Sequence, residues 1–142
     1  MHTTGLHHVA ISVKEIEPAV RFYADVMGLE QIERPDFGFP GAWFQAGGHQ
    51  IHLMEMADAE PDPRQHYALR VDDLEAAVAS IEAAGGRVSR APEVAGAGRQ
   101  AFVRDPSGNL IELSCAADQP VDDAIFELDF VDAQSNETYR SS

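Results

Sequence analysis

The sequence of 142 residues contains one cysteine, one lysine and no long apolar run. Because a single cysteine, Cys115, cannot form an internal disulfide, the chain fits a reducing compartment such as the cytoplasm. No apolar segment approaches the roughly 20 residues of a membrane-spanning helix. The first residues also lack the basic start and apolar stretch of a secretory signal. We therefore expect a cytoplasmic protein without a membrane partner.

Basic side chains are scarce in this chain. Ten lysine and arginine residues stand against 24 aspartates and glutamates, which gives a formal net charge of −14. Nucleic acids and anionic membranes are bound through basic surfaces, so this charge argues against both as partners. The excess of carboxylates is best interpreted as a solubilising surface, and a small molecule is the expected partner.

The chain repeats one pattern twice. Residues 8–13 recur as 66–71, and residues 48–53 recur as 108–113. Internal similarity of this kind indicates a duplicated unit. The break between the copies falls at 56–65, where prolines and acidic residues are typical of a solvated linker.

This repeat predicts one domain over residues 1–115, built from modules at 5–55 and 66–115. The remaining residues, 116–142, are predicted to be an acidic C-terminal extension. Alternating apolar residues within it favour one further strand over 124–131.

Each module is predicted to contain a strand, a helix and three further strands, which is an α+β arrangement of two βαβββ modules. Helical spacing of apolar residues, followed by a glycine, predicts helices over 16–27 and 74–84. Alternation and β-branched residues predict the strands, which are expected over 6–13, 30–33, 42–45, 50–55, 66–71, 87–90, 100–104 and 110–114.

Four side chains that can bind a metal occupy matching places in the two modules. Side chains alternate between the faces of a strand, and the apolar face of each strand is expected to pack on its own helix. The opposite face then carries His8, His52, His66 and Glu112. If the modules pair about a two-fold axis and their sheets curve together, the four converge on one cleft, where a cation would offset their desolvation. Such a set suits Zn²⁺, Fe²⁺, Mn²⁺, Ni²⁺ or Co²⁺.

The other histidines fit this pattern less well. His7 falls on the helix side of the first strand or at its frayed start. His49 lies in a predicted turn, and His2 lies in the N-terminal segment. None of the three is expected to bind the metal.

Longer motifs extend the repeat, and they lie at 6–13, 22–29, 66–71 and 102–113. Together they resemble the vicinal oxygen chelate superfamily, which includes glyoxalase I, extradiol dioxygenases, and fosfomycin and bleomycin resistance proteins. The resemblance covers residues 5 to about 115. The stretches 38–44 and 50–53 together resemble those of a glyoxalase-like branch of the superfamily. The resemblance implies paired βαβββ modules in a cupped mixed sheet around a divalent metal. It also implies a homodimer, with the metal ligands at His8, His52, His66 and Glu112.

The resemblance implies a metal-dependent lyase or isomerase of the glyoxalase type. A metal that binds two neighbouring oxygens of an α-hydroxy carbonyl or thiohemiacetal polarises the carbonyl and stabilises an enediolate. Glu112 is the expected base for the proton transfer, and His52 would serve the opposite face of the substrate. Glyoxalase I usually has Glu or Gln at the position of His52, so this chain departs from that pattern.

Three other functions stay open as alternatives. An Fe²⁺ extradiol-type dioxygenase would use the triad of His8, His66 and Glu112, although most such enzymes have four modules. A non-catalytic binding or resistance protein would need no metal ligands, so the complete set argues against it. Thiol transfer to a phosphonate epoxide would require several cations, which this acidic chain does not offer.

Aromatic and basic side chains are the expected contacts of the substrate. Aromatic rings would provide apolar walls, and arginines would bind a carboxylate. The candidates are Trp43, Phe44, Phe102, Arg70 and Arg99.

Overall fold

The computed structural model describes residues 1–116. The extension from residue 117 onward, including the strand predicted over 124–131, lies outside the described residues. The described chain consists of β1 His8–Val13, α1 Ile16–Arg21, a π-helical turn Phe22–Val26, β2 Glu30–Ile32, β3 Gly41–Ala46, β4 His49–Glu55, β5 His66–Arg70, α2 Leu74–Ala83, β6 Val88–Arg90, β7 Arg99–Arg104 and β8 Leu110–Cys115.

The strands form two four-stranded sheets with equivalent strand order. The first sheet has the order β1-β4-β3-β2, and the second has the order β5-β8-β7-β6. In each sheet the first strand of the module pairs in parallel with the last, and the other pairs are antiparallel. This arrangement confirms the predicted α+β class with two βαβββ modules.

Alternation along the strands separates a core face from a second face. On β4, Ile51 and Leu53 are buried in the core, and His52 between them projects from the other face. On β8, Ile111 and Leu113 are buried in the same way. Burial of each such aliphatic side chain contributes about 1.5–3 kcal/mol. The register is therefore strongly determined, because a slip of one residue would exchange the two faces.

The first helix differs from the prediction. The α-helix ends at Arg21 and continues as the π-helical turn, in which the Met27 N–H donates to the Phe22 carbonyl at 2.9 Å. The wider turn allows the neighbours Phe22 and Tyr23 to be buried together. The regular helix predicted over 16–27 is therefore wrong in its second half.

The two helices begin at different kinds of cap. The first N–H of α1, at Ile16, donates to Glu55 Oε2 of β4 at 2.9 Å. In α2, the N–H of Ala76 donates to Asp73 Oδ1 at 3.0 Å, which is a local side-chain cap. Neither helix within residues 1–116 is long and apolar enough to cross a membrane.

A buried polar cluster joins the two modules at the turn between β7 and β8. Asp105 is 5% exposed, and its Oδ2 accepts hydrogen bonds at 2.9 Å from the Tyr23 hydroxyl and from Asn109 Nδ2. Asn109 Nδ2 also donates to the Ser12 carbonyl at 2.9 Å. Burial raises the pKa of Tyr23, so its hydroxyl stays protonated and can donate. These bonds hold the second module against the first.

Candidate metal and substrate site

The second module holds a histidine–carboxylate pair. His66 begins β5, and Glu112 lies on the neighbouring strand β8 opposite Ala68. The distance between His66 Nε2 and Glu112 Oε1 is 3.3 Å. Two ligands of one ion with bonds of about 2.1 Å are separated by about 3.0–3.4 Å, so this spacing fits a shared metal ion.

Hydrogen bonds orient both members of this pair. His66 Nδ1 donates to the Arg64 carbonyl at 2.8 Å, so in a neutral ring Nε2 has a lone pair that faces the carboxylate. Two such lone-pair atoms repel each other, and a cation between them removes the repulsion. Metal-binding histidines commonly donate their second nitrogen to a carbonyl in this way. Glu112 is 8% exposed, and its Oε2 accepts a long hydrogen bond of 3.5 Å from Gln100 Nε2.

The first module holds a stacked histidine pair at the equivalent positions. The nearly parallel rings of His8 and His52 have centroids 4.0 Å apart, and the ring of Trp43 is parallel to that of His52 at 3.8 Å. His52 is therefore sandwiched between the two rings and is 8% exposed. Its Nε2 donates to Gln50 Oε1 at 2.8 Å, which leaves Nδ1 as the nitrogen that can accept a proton or bind a metal.

Burial and nearby charges lower the pKa of His52. Burial has the largest effect, and the charges of His8, His7 and Arg34 act in the same direction. A neutral imidazole is the form that binds a metal or accepts a proton. The surroundings therefore favour the chemically useful form of this ring.

The structure brings the four predicted ligands together as two pairs, not as one cluster. Among residues 1–116, no three His, Cys, Asp or Glu side chains are placed to hold one ion. A cleft of about 900 Å³ is lined by both modules and includes His8 and His66, whereas His52 and Glu112 do not line it. One chain thus offers two half-sites with two donors each, and the predicted convergence within one chain is not observed.

Three of the residues predicted to contact the substrate lie on the donor faces. Trp43 on β3 lies opposite His52. Phe102 on β7 lies opposite Glu112, and its ring centroid is 5.7 Å from that of His66. Arg70 is exposed at the end of β5 and lines the 900 Å³ cleft.

Phe44 and Arg99 lie elsewhere than predicted. Phe44 is fully buried in the core, 5.7 Å from the ring of Tyr23, because alternation along β3 turns it away from the face of Trp43. Arg99 shares the strand face of the buried Ala101 on β7, opposite the donor face. Strand alternation therefore places both side chains on the face opposite the four possible ligands.

Some polar neighbours of the donors were not predicted. Gln50 and Gln100 hydrogen-bond to His52 and Glu112, respectively. Strand alternation could have indicated Gln50, since it precedes His52 by two residues. Arg34, whose charge reaches His52, lies in a loop where no periodic pattern indicates the direction of a side chain.

His7 is not a predicted ligand, yet it contacts His8 directly. The two Nδ1 atoms are 2.9 Å apart, so one of them carries the proton and the other accepts it. This bond occupies Nδ1 of His8, and Nε2 is then its nitrogen for a metal.

The chain matches a family model and a curated relative over most of its length. The model described as the Glyoxalase/Bleomycin resistance protein/Dioxygenase superfamily matches residues 5–113. A Vibrio cholerae protein named "Probable lactoylglutathione lyase" is 33% identical over 119 residues, which cover 75% of this chain and 86% of that protein.

Solved structures are similar to the same region. A glyoxalase family protein from Bacillus anthracis has a TM-score of 0.74 at 26% identity, and the match covers 80% of this chain and 95% of that one. A fosfomycin resistance protein from Listeria monocytogenes, complexed with Mn(II) and 1S,2S-dihydroxypropylphosphonic acid, shares the fold with a TM-score of 0.70 at 22% identity, over 82% of this chain and 95% of that one. With the family model covering nearly all of both modules, the chain belongs to the Glyoxalase/Bleomycin resistance protein/Dioxygenase superfamily.

Proposed function

We propose that this protein is a metal-dependent lyase or isomerase of the glyoxalase type, active as a homodimer on a small α-hydroxy carbonyl or thiohemiacetal. The observation that carries the proposal is the pair of His66 and Glu112, whose 3.3 Å spacing and hydrogen bonds suit a shared cation. Membership of the family supports it. Imidazole and carboxylate ligands suit Zn²⁺, Ni²⁺, Fe²⁺, Mn²⁺ or Co²⁺.

The homodimer would join the two half-sites. His8 and His52 belong to the first sheet, whereas His66 and Glu112 belong to the second. A protein site for such an ion usually takes three or four protein ligands, which neither pair supplies alone. In a two-fold dimer, the first module of one copy faces the second module of the other, and two identical four-donor sites result.

The side chains of the protein would contribute proton transfer to the reaction. When bound, the metal would polarise the carbonyl of a substrate held through two neighbouring oxygens. Glu112 would remove the proton from the adjacent carbon, since its second oxygen is held only by the long bond from Gln100. When its Nδ1 is not bound to the metal, His52 would deliver or accept a proton on the opposite side, because its surroundings favour the neutral ring.

An Fe²⁺ dioxygenase is the second candidate. The donor types at His8, His66 and Glu112 form the two-histidine, one-carboxylate set of non-haem iron oxygenases. Oxygen consumption with a catechol by Fe²⁺-loaded protein would favour this candidate. Exchange of the proton next to the carbonyl of an α-hydroxy ketone would favour the lyase or isomerase.

Mixed dimers test whether the site is shared between chains. His8→Ala and Glu112→Ala alone should bind almost no Zn²⁺. When the two variants are coexpressed in equal amounts, half of the dimers are mixed, and each mixed dimer holds one intact site. We expect about one quarter of the wild-type metal content, measured by elemental analysis of protein purified without chelator.

The matched control combines two variants of the second module, His66→Ala and Glu112→Ala, which cannot form an intact site in any dimer. Equal recovery of metal in both mixtures would contradict a site shared between chains. Wild-type protein that binds no stoichiometric metal, with a melting temperature that added Zn²⁺ does not change, would instead indicate a non-catalytic binding protein.

A further inference from the structure

Arg34 lies in the loop after β2, and its guanidinium is held from several sides. Cζ is 4.9 Å from the ring centroids of both Phe37 and Phe39. Nη1 donates to the Phe39 carbonyl at 3.1 Å. Gly41 leaves the space for it, because a Cβ at that position would come 2.8 Å from Cζ of Arg34. The arginine is thus positioned by the protein before any ligand arrives.

Arg34 has no acidic partner in the part of the chain that the structure describes. The ion pairs found among residues 1–116 join Arg90 to Glu75 and His66 to Glu112. Asp36, two residues after Arg34, instead accepts a hydrogen bond from the Gly38 N–H at 2.8 Å. Because no described acidic side chain forms an ion pair with it, the guanidinium can bind an external anion.

A row of aromatic rings connects Arg34 to the first half-site. The ring centroids of Phe37 and Trp43 are 6.0 Å apart, and Trp43 stacks on His52. Phe37 is 53% exposed and Phe39 is 44% exposed, so both rings present apolar surface to solvent. A row of apolar rings with a guanidinium at one end suits a ligand that has an apolar body and an anionic group.

We propose that Arg34 binds a carboxylate of the substrate, while Phe37 and Phe39 contact the apolar part beside it. This inference rests on the proposed function and names its substrate class, namely small apolar molecules that carry a carboxylate. The N–H groups of a guanidinium lie in its own plane, where a carboxylate can accept two of them at once. A single negative charge also suits the acidic chain better than a doubly charged phosphate does.

Calorimetric titration of the 142-residue protein with two matched pairs of probes tests whether Arg34 binds a carboxylate. The Zn²⁺-loaded protein is titrated with catechol and with 3,4-dihydroxybenzoate, which differ by one carboxylate. Chelator-treated protein is titrated with benzamide and with benzoate, of which only the second carries a carboxylate. Zn²⁺ is chosen because it has no redox chemistry that would oxidise the catechol. We expect the wild type to prefer the carboxylate of each pair by about 10- to 100-fold.

Arg34→Gln should bring both preferences close to one, and a circular dichroism spectrum and melting temperature equal to those of the wild type show that the variant is folded. The control Arg21→Gln removes an equal charge from the exposed surface of α1 and should keep both preferences. Retained preference in Arg34→Gln, or equal loss in the control, would overturn the inference.

Two further outcomes show whether a negative result concerns the role of Arg34 or the proposed function on which it rests. Zn²⁺-loaded wild type that does not bind catechol would contradict the proposed function, whereas the benzoate pair would still decide the role of Arg34. Dissociation of Arg34→Gln into monomers on size-exclusion chromatography would assign the exposed rings to a subunit interface and overturn the proposal.

Discussion

The two modules share one backbone plan and present different chemistry on it. In both, the first strand pairs in parallel with the last, and the donor pairs stand at equivalent places. The pair in the first module, His8 and His52, is stacked with Trp43. The pair in the second module is a histidine and a carboxylate 3.3 Å apart. The duplicated fold therefore determines where side chains project, while their identities have diverged.

This divergence gives the two halves of the proposed site separate tasks. One carboxylate and three neutral imidazoles would leave a divalent ion with a net positive charge that can polarise a carbonyl. The loop 33–40 of the first module carries Arg34 and two phenylalanines, whereas the corresponding loop 91–98 of the second has no basic or aromatic residue. Substrate selection would therefore depend on the first module and the charged metal ligand on the second.

The largest loss of stability is expected from a substitution in the turn before β8, the last strand of the second module. In the second module, Asp105 accepts four hydrogen bonds within a buried cluster. Asp105→Ala leaves several buried donors unpaired and should lower the free energy of unfolding by about 3–5 kcal/mol, measured by urea denaturation.

The matched turn of the first module is exposed and provides the control. There, Gln45 Nε2 donates to the carbonyls of Gly47 and His49 at 2.7 and 3.1 Å. Gln45→Ala should cost less than about 1 kcal/mol, because solvent replaces these bonds. If both variants lost the same stability, the turn of the second module would have no special role in joining the modules.

Substitutions at the helix caps are expected to lower the free energy of unfolding by a smaller amount. Asp73→Ala removes the local cap of α2 and should cost about 1 kcal/mol in thermal or urea unfolding. Glu15 precedes α1 without a side-chain cap bond, so Glu15→Ala should change stability by less than about 0.5 kcal/mol. A large loss in Glu15→Ala would mean that Glu55 is not the effective cap of α1.

The smallest expected effect is a pH dependence that belongs to the first module. The pKa of His52 is lowered from its ordinary value of 6.5, mainly by burial. In metal-free protein, the unfolded chain therefore binds this proton at a higher pH than the folded chain does. The stability contribution is complete above pH 6.5 and is lost as the pH falls through the lowered pKa.

Unfolding free energies at pH 7.5 and 5.5 should therefore differ less in His52→Gln than in the wild type. The exposed His49 offers a control, since His49→Gln should keep the wild-type difference. Because Trp43 is the only tryptophan and stacks on His52, its fluorescence offers an independent measure of the same titration. An unchanged pH dependence in His52→Gln would assign the effect to other groups.

The sequence predicted the strands well because their signals are local. A period of two in residues such as Ile51, His52 and Leu53 depends only on the chain itself, and each strand was placed within about two residues. The same rule, applied to Phe44, would have excluded it from the site. The π-helical turn after Arg21 was missed, since it depends on burying two adjacent aromatic residues against the sheet.

By itself, the sequence determined that the chain is duplicated, that each copy is a βαβββ module and that four possible ligands face away from the helices. Only the tertiary structure decided that these ligands form two pairs within one chain. It also decided that Glu55 caps a helix 39 residues earlier and that Arg34 is held over two phenylalanines. The reason is that strand faces follow from backbone geometry between neighbours, whereas distances between modules follow from packing of residues far apart in the chain.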